Sequence, residues 1–325
     1  MLKYLKMLFA HFIGRVMLST SGEVPLNAES FSNLLEPGVR ETFFNSYDDT
    51  VKKEAMVPIL YRMLGSTRQT EHTLSISAMG DFEDFDATGQ ITYDDISEGY
   101  KKTFTHNAWT KGMRITRKLA QNDLFGVVSD IPSQRAIAAA RTREKHGASV
   151  FNGAFAGTSG PDSLSLCNAA HTSTVNGVST QSNTGTDTLS KTTVSSTRLS
   201  MKKLYGLNGE RIGVKMDMLL VNMDKEEDAW TIISTKGEPE TDNNNRNFHF
   251  GKYKLVVWDE ITSQYNWFGI DSRLMKLNLL WFDRNKLELN KDTAFNTYES
   301  RFSAYMEYSY GWRDYVWVYG HNATS

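Results

Sequence analysis

The chain has 325 residues, 40% of them hydrophobic and 12% aromatic, so a sizeable core can be buried. Lys and Arg number 36 against 38 Asp and Glu, a net charge of -2 that argues against a protein gripping nucleic acid by phosphate neutralisation. The single cysteine excludes an internal disulfide.

The first stretch, MLKYLKMLFAHFIGRVML, sets Lys3 and Lys6 before an apolar run, as a secretion signal does. His11 and Arg15 interrupt the run, and no small-x-small cleavage site follows promptly. It reads as an amphipathic helix. No segment offers the ~20 uninterrupted apolar residues of a membrane span. Residues 1–70 read as an irregular arm with helical pieces. Asn27 or Ser30 is a plausible helix cap. DTVKKEAMVPILYRML reads as a second short helix, interrupted near Pro58.

From Glu71 the period changes. Leu74, Ile76 and Ala78 alternate with Thr73, Ser75 and Ser77, which predicts a half-exposed strand. GDFEDFDATGQ is acidic, bounded by glycines and suited to a hairpin tip. YKKTFTHNAWTKGMRIT runs back as a strand. Phe104 and Trp109 fall on opposite parities there, which predicts a bulge. Together these segments read as a long two-stranded ribbon, marginal alone and in need of a neighbour.

Asn122 is a candidate cap for NDLFGVV. Pro132 suits the first turn of a long helix, PSQRAIAAARTREKHGASVFNGAF. Ile137, Ala140, Ala148, Phe151 and Phe155 form one stripe, with Arg141, Arg143 and Lys145 largely elsewhere. Residues 158–200 are rich in Ser and Thr and read mostly as loop. SSTRLSMKKLYGLNG reads as a helix ending at Gly206 or Gly209. DMLLVN, YKLVVWD and NWFGID are strand-like, and DKEEDAWTIIS is helical. They make a compact α+β unit with TDNNNRN as a polar loop. From Leu274 the pattern is mainly strand, and aromatics crowd residues 281–325, which implies a shared core or an interface.

Chemistry is sparse. Cys167 and His171 are four apart in SLCNAAHTSTVNG. They could be a nucleophile with its base, but the flanking Asn, Ser, Thr and Gly disfavour the helix that would juxtapose them. The other histidines lack metal-ligand spacing. YGLNGERIG lacks the lysine of a phosphate loop and reads as a cap and turn. Asp81, Glu83, Asp84, Asp86, Asp94, Asp95 and Glu98 could do acid–base work or bind calcium. No EF-hand spacing is present, and a solvated loop tip is the simpler reading. Asn322 opens a short glycosylation-type match. Nothing describes a reaction. Projecting strands with no core of their own point toward assembly.

Four segments, in order, carry a resemblance: GQITYDDISEGYKKTFTHNAWTKGMRITRKLAQNDLFGVV, RTREKHGASVFNGAF, LCNAAHT and YSYGWRDYVWVYG. Their order and spacing over residues 70–321 resemble the major capsid proteins of tailed bacteriophages, with the Hong Kong 97 coat fold, and more closely the Mu-like major head subunits. The resemblance implies an α+β Hong Kong 97-type fold with an N-terminal arm (1–70), an extended E-loop ribbon (71–118), a peripheral (P) domain with a spine helix (119–185), an axial (A) domain (186–272) and a P-domain return (273–325). It implies an icosahedral head shell around double-stranded DNA in a virion assembled in the host cytoplasm. Partners are other copies in pentamers and hexamers, with portal, scaffold or decoration proteins. DNA is held without sequence-specific binding. No cofactor, catalytic residue or membrane is implied. His171 is then a structural hydrogen-bonding residue, although Asn168-Ala169-Ala170 departs from the usual x-T-A before the histidine.

The ribbon tip, Asp81, Phe82, Glu83, Asp84, Phe85 and Asp86, is expected to meet a neighbouring subunit. Arg135, Arg141, Arg143 and Lys145 are its candidate partners there. Some relatives lock the shell by a Lys–Asn bond through the E-loop. The acidic tip has no lysine, and Lys101, Lys102 and Lys111 lie further on, so no cross-link is expected. Two rivals stay open. One is an encapsulin-like nanocompartment of the same fold, and the other a cysteine hydrolase using Cys167 and His171.

Overall fold

The computed structural model describes residues 28–324 apart from 77–88, 90–92, 94–97, 123–126, 158–159, 176, 238–245, 295 and 297–298. The amphipathic helix expected at the N-terminus, the cap at Asn27, the acidic tip and TDNNN of the polar loop lie outside the described residues.

The arm, expected to be irregular with helical pieces, contains a long helix, α1 (Ala28–Glu54), of 27 residues and about 40 Å. Val39 and Phe43, one turn apart, are buried on one face. That face packs against α4 (Val127–Asn152), the long helix of the fold. The interruption expected near Pro58 is present: α1 ends at Glu54, and Pro58 sits in the first turn of the short α2 (Val57–Leu60). The backbone N–H groups of Met56 and Val57 donate to the Glu144 carboxylate of α4, at 2.9 and 3.2 Å. Burial pushes that carboxyl above its usual range against the pull of these N–H groups.

Strand β1 (Arg62–Gly65) follows α2, and β2 (Thr70–Ile76) pairs antiparallel with β3 (Glu98–Thr105). The bulge expected between Phe104 and Trp109 is a change of sheet. β3 ends at Thr105, and β4 (Asn107–Thr116) pairs with β10 (Glu299–Trp312) instead. Each half keeps its own parity, so Phe104 packs with Leu280 and Phe282 while Trp109 lies against His146. Asn122 ends a helix rather than starting one. It caps the C-terminus of α3 (Arg117–Gln121), whose first turn is capped by the Thr116 hydroxyl. α4 begins before Pro132, which sits buried inside it. Packing of Val128, Ile131 and Ala136 with Val39 and Phe43 outweighs the lost backbone bond. The helix ends at Asn152, short of Phe155.

The stretch 158–200 is less loose than its composition suggests. Leu166, Cys167, His171 and Asn183 are buried in it. It holds β5 (Thr184–Gly185) and the start of α5 (Lys191–Lys202). α5 starts at a Ser190–Thr193 capping box and ends before Gly206, which lies in the following turn. The predicted strands appear as β6 (Met218–Val221), β7 (Lys254–Val257) and β8 (Trp267–Ile270), with α6 (Glu226–Ser234) between the first two. Leu274 to Asn278, predicted as strand, belongs to α7 (Ser272–Asn278), whose N-cap is Asp271. β9 (Leu279–Ala294) follows, and β11 (Val318–His321) ends the fold. Besides the β2-β3 ribbon, a four-stranded sheet runs β1-β9-β10-β4 and a five-stranded sheet β5-β11-β8-β6-β7.

The C-terminal aromatics build a core. Trp281 stacks on Tyr308 at 4.6 Å and meets Tyr61 edge-on at 5.6 Å. His321 stacks on Trp267 at 4.1 Å, and its Nε2 lies 2.7 Å from the Thr197 hydroxyl. Burial lowers its pKa to about 4. Below its ordinary value near 6.5 the unfolded chain takes the proton and the folded chain does not. The stabilisation is therefore complete above about pH 6.5 and lost as pH falls toward 4, by about 3 kcal/mol for this residue. Burial also lowers His106, His146 and His249. Urea unfolding at pH 7 and pH 4.5 is expected to show this loss. His321→Gln is expected to shrink it, and an unchanged pH slope in that variant contradicts the assignment.

Candidate assembly interface

The ribbon β2–β3 runs from Thr70 opposite Thr105 to Ile76 opposite Glu98. Among the described residues it has no third strand. The alternation predicted from sequence is present, with a reversed sense. Thr73 and Ser75 are half-buried toward the body, whereas Leu74 and Ile76 are 40% and 64% exposed. Polar contacts tie the tip-ward end of the ribbon to its own subunit: Tyr100 to Thr172 at 2.9 Å, and the Thr174 hydroxyl to the Glu98 carbonyl at 3.0 Å. At Gly99 a side chain has no room, because a Cβ there meets Leu207 at 2.7 Å and Ser75 at 2.8 Å. Leu74 and Ile76 face away from their own subunit while Phe104 is buried on the other face, and such outward apolar side chains suit a surface meant for a partner.

The expected tip residues Asp81, Phe82, Glu83, Asp84, Phe85 and Asp86 lie outside the described residues. Their candidate partners divide. Arg135, Arg141 and Lys145 stand exposed on α4. Arg143 does not belong with them. Its guanidinium forms a two-pronged pair with Asp283, both contacts at 3.1 Å, and lies 5.0 Å from the Trp281 ring centre. Sequence reasoning placed it by helical spacing alone and missed Asp283, which is 140 residues away.

Cys167 is 2% exposed, and burial pushes its thiol well up. His171 is also buried, and no hydrogen bond joins the two among the described residues. Its Nδ1 donates to Asp162 at 2.6 Å, and its ring stacks on Tyr315 at 3.7 Å. Burial works to raise the Asp162 carboxyl, but the hydrogen bond and charge of His171 and the Leu164 N–H together hold it below its ordinary value. This is a structural clamp across a loop, the reverse of an activated thiolate. A thiol reagent at neutral pH is expected to leave Cys167 unmodified until urea unfolds the chain. Rapid labelling of the native protein revives the hydrolase reading.

The family described as phage capsid protein matches residues 99–320, more than half of the chain. The chain belongs to that family. No curated protein sequence matches it. A solved structure from Microbacterium phage Oxtober96 is similar, with 9% identity, a TM-score of 0.52 and coverage of 84% of this chain and 92% of that one. The mature capsid of bacteriophage PhiM1 is similar too, with 9% identity, a TM-score of 0.52 and coverage of 82% and 85%. The bacteriophage JBD30 capsid, decorated with minor capsid protein trimers, covers 64% and 91% at 9% identity and a TM-score of 0.52. The phage capsid protein therefore has the expected α+β Hong Kong 97-type fold. It is a major capsid protein, a shell subunit of a bacteriophage head. Residues 1–98, which include α1, α2, β1 and β2, precede the matched residues.

Proposed function

We propose that this capsid protein closes an icosahedral shell from pentamers and hexamers around double-stranded DNA, and that it catalyses no reaction. The ribbon carries the reading, because its own subunit leaves Leu74 and Ile76 to solvent. A neighbour's surface covers it. Heterologous head-to-tail contacts of this kind close when the rotation closes. Segments that order only on contact give up entropy at that moment, which restrains premature assembly. The near-neutral chain confines DNA without the tight binding of a basic wall, so the genome can leave.

The domain division follows the same reading: arm 1–70, E-loop 71–118, P domain 119–185 and 273–325, A domain 186–272. The acidic tip faces Arg135, Arg141 and Lys145 of an adjacent P domain. Such exposed pairs are worth about 0–1 kcal/mol each and set registration more than strength. Phe82 and Phe85 add apolar burial. Portal, scaffold or decoration proteins join the shell in the host cytoplasm, and membership of the Mu-like head group is part of the proposal. No Lys–Asn cross-link forms, so a denaturing gel of mature particles shows a single subunit band and no ladder.

Electron microscopy of the purified chain, alone and with its neighbouring structural proteins, tests the reading. Closed particles holding DNA are expected. A protein cargo instead of DNA favours a nanocompartment, and a monomer that persists at high concentration under all these conditions defeats the proposal.

A further inference from the structure

Two exposed surfaces of the A-domain unit are opposite in sign, and each presents an aromatic ring. On α6, Trp230 is 58% exposed and stands beside Met223 over a groove of about 360 Å³. Asp224, Glu226 and Glu227 rim that groove. The second surface is the turn after residue 246. Phe248 is 51% exposed there, with Lys252 3.0 Å and Arg198 4.9 Å from its ring centre. Lys202 adds a further positive charge that Lys252 feels. Among the described residues no carboxylate pairs with Lys202, Lys252 or Arg198.

The two occupy different ends of α6. Met223 and Trp230 lie at and before its first half, whereas the Phe248 turn bridges its C-terminal end to α5, with the Gly251 N–H donating to the Ile233 carbonyl at 3.0 Å and the Ser195 hydroxyl 3.0 Å from His249 Nε2. α6 lies over β6 and β7, at one edge of the five-stranded sheet. α5, which carries Arg198 and Lys202, lies over β8 and β11. Neither surface suits a copy of itself, because like charges oppose. Each suits the other on a second copy: an aromatic knob flanked by cations enters an aromatic groove rimmed by carboxylates. Aromatic and Arg anchors concentrate at interfaces, and complementary charge selects the register. Two different surfaces on one subunit make a heterologous contact, the kind that builds a ring.

The geometry points to a head-to-tail contact in which Phe248 and its cations seat in the Trp230 groove of the next subunit. This rests on the shell reading and assigns the residues that join neighbours within a ring.

Charge reversal in the full chain tests it. Glu226→Lys with Glu227→Lys reverses the groove, and Lys202→Glu with Lys252→Glu reverses the knob. Each pair is expected to lower the yield of closed particles at least about tenfold, and all four changes together to restore most of it. Trp230→Ala, which alters no charge, is expected to lower yield as well. Thermal midpoints of the free subunits are expected to match the unaltered chain, since these side chains are exposed. Undiminished yield in either reversed pair or in Trp230→Ala overturns the contact. So does a fourfold variant that folds and assembles no better than the pairs. Failure of the unaltered chain to form shells overturns the shell reading itself, and this contact with it.

Discussion

Replacing Arg143 by alanine is expected to destabilise the subunit by about 3–5 kcal/mol, the cost of leaving a buried carboxylate unpaired. The side chains of Arg143 and Asp283 are only 12% and 15% exposed. Asp283 also accepts the Trp281 indole N–H at 2.9 Å, and Arg143 lies over the rings of Trp281 and Tyr308. The pair thus ties α4 to β9 through the aromatic core. Arg143→Lys keeps the charge and loses the two-pronged fork, so it recovers only part of the loss. Changing both partners to apolar residues of similar size is expected to recover more than Arg143→Lys does, because no buried charge is left alone. Urea titration of the free subunit reads all three. An Arg143→Ala loss below about 1 kcal/mol shows that the pair is solvated and the account wrong.

Changing Leu74 and Ile76 together to serine is expected to do the opposite: spare the subunit and spoil the shell. Their exposure predicts an effect on unfolding of no more than about 0.5 kcal/mol each. If a neighbour covers them, the pair contributes roughly 2 kcal/mol to each contact. That is about thirty-fold in the contact's equilibrium constant, repeated at every subunit. Particle yield and heat resistance are expected to fall while the monomer's unfolding midpoint holds. Shells of normal yield and heat resistance remove the ribbon from the interface.

These two sites show what a linear reading can see. The alternation from Thr73 to Ile76 was legible, because strand side chains repeat with period two wherever the strand lies. Which side faces water was not, because burial depends on the body against which the strand rests. Arg143 was legible as a cation on a helix. Its partner was not, because a pair 140 residues apart leaves no local trace. Phe104 and Trp109 gave a true signal, a change of parity, with the wrong cause attached. A bulge and a change of sheet write the same pattern. Asn122 is equally ambiguous, because its short polar side chain suits either end of a helix.

By itself the sequence determined the local elements whose signals are short-ranged. These are the β6, β7 and β8 strands, α6, most of α4, the aromatic C-terminal core and the ordered motifs that mark the capsid family. Only the tertiary structure decided that the arm holds one long packed helix, that Pro132 lies inside α4, that residues 272–278 are helical and that Arg143 is committed inward. The division has one physical cause. Propensity, caps and periodicity act over a few residues, whereas burial and charge pairing are settled by whichever distant segment the fold brings alongside.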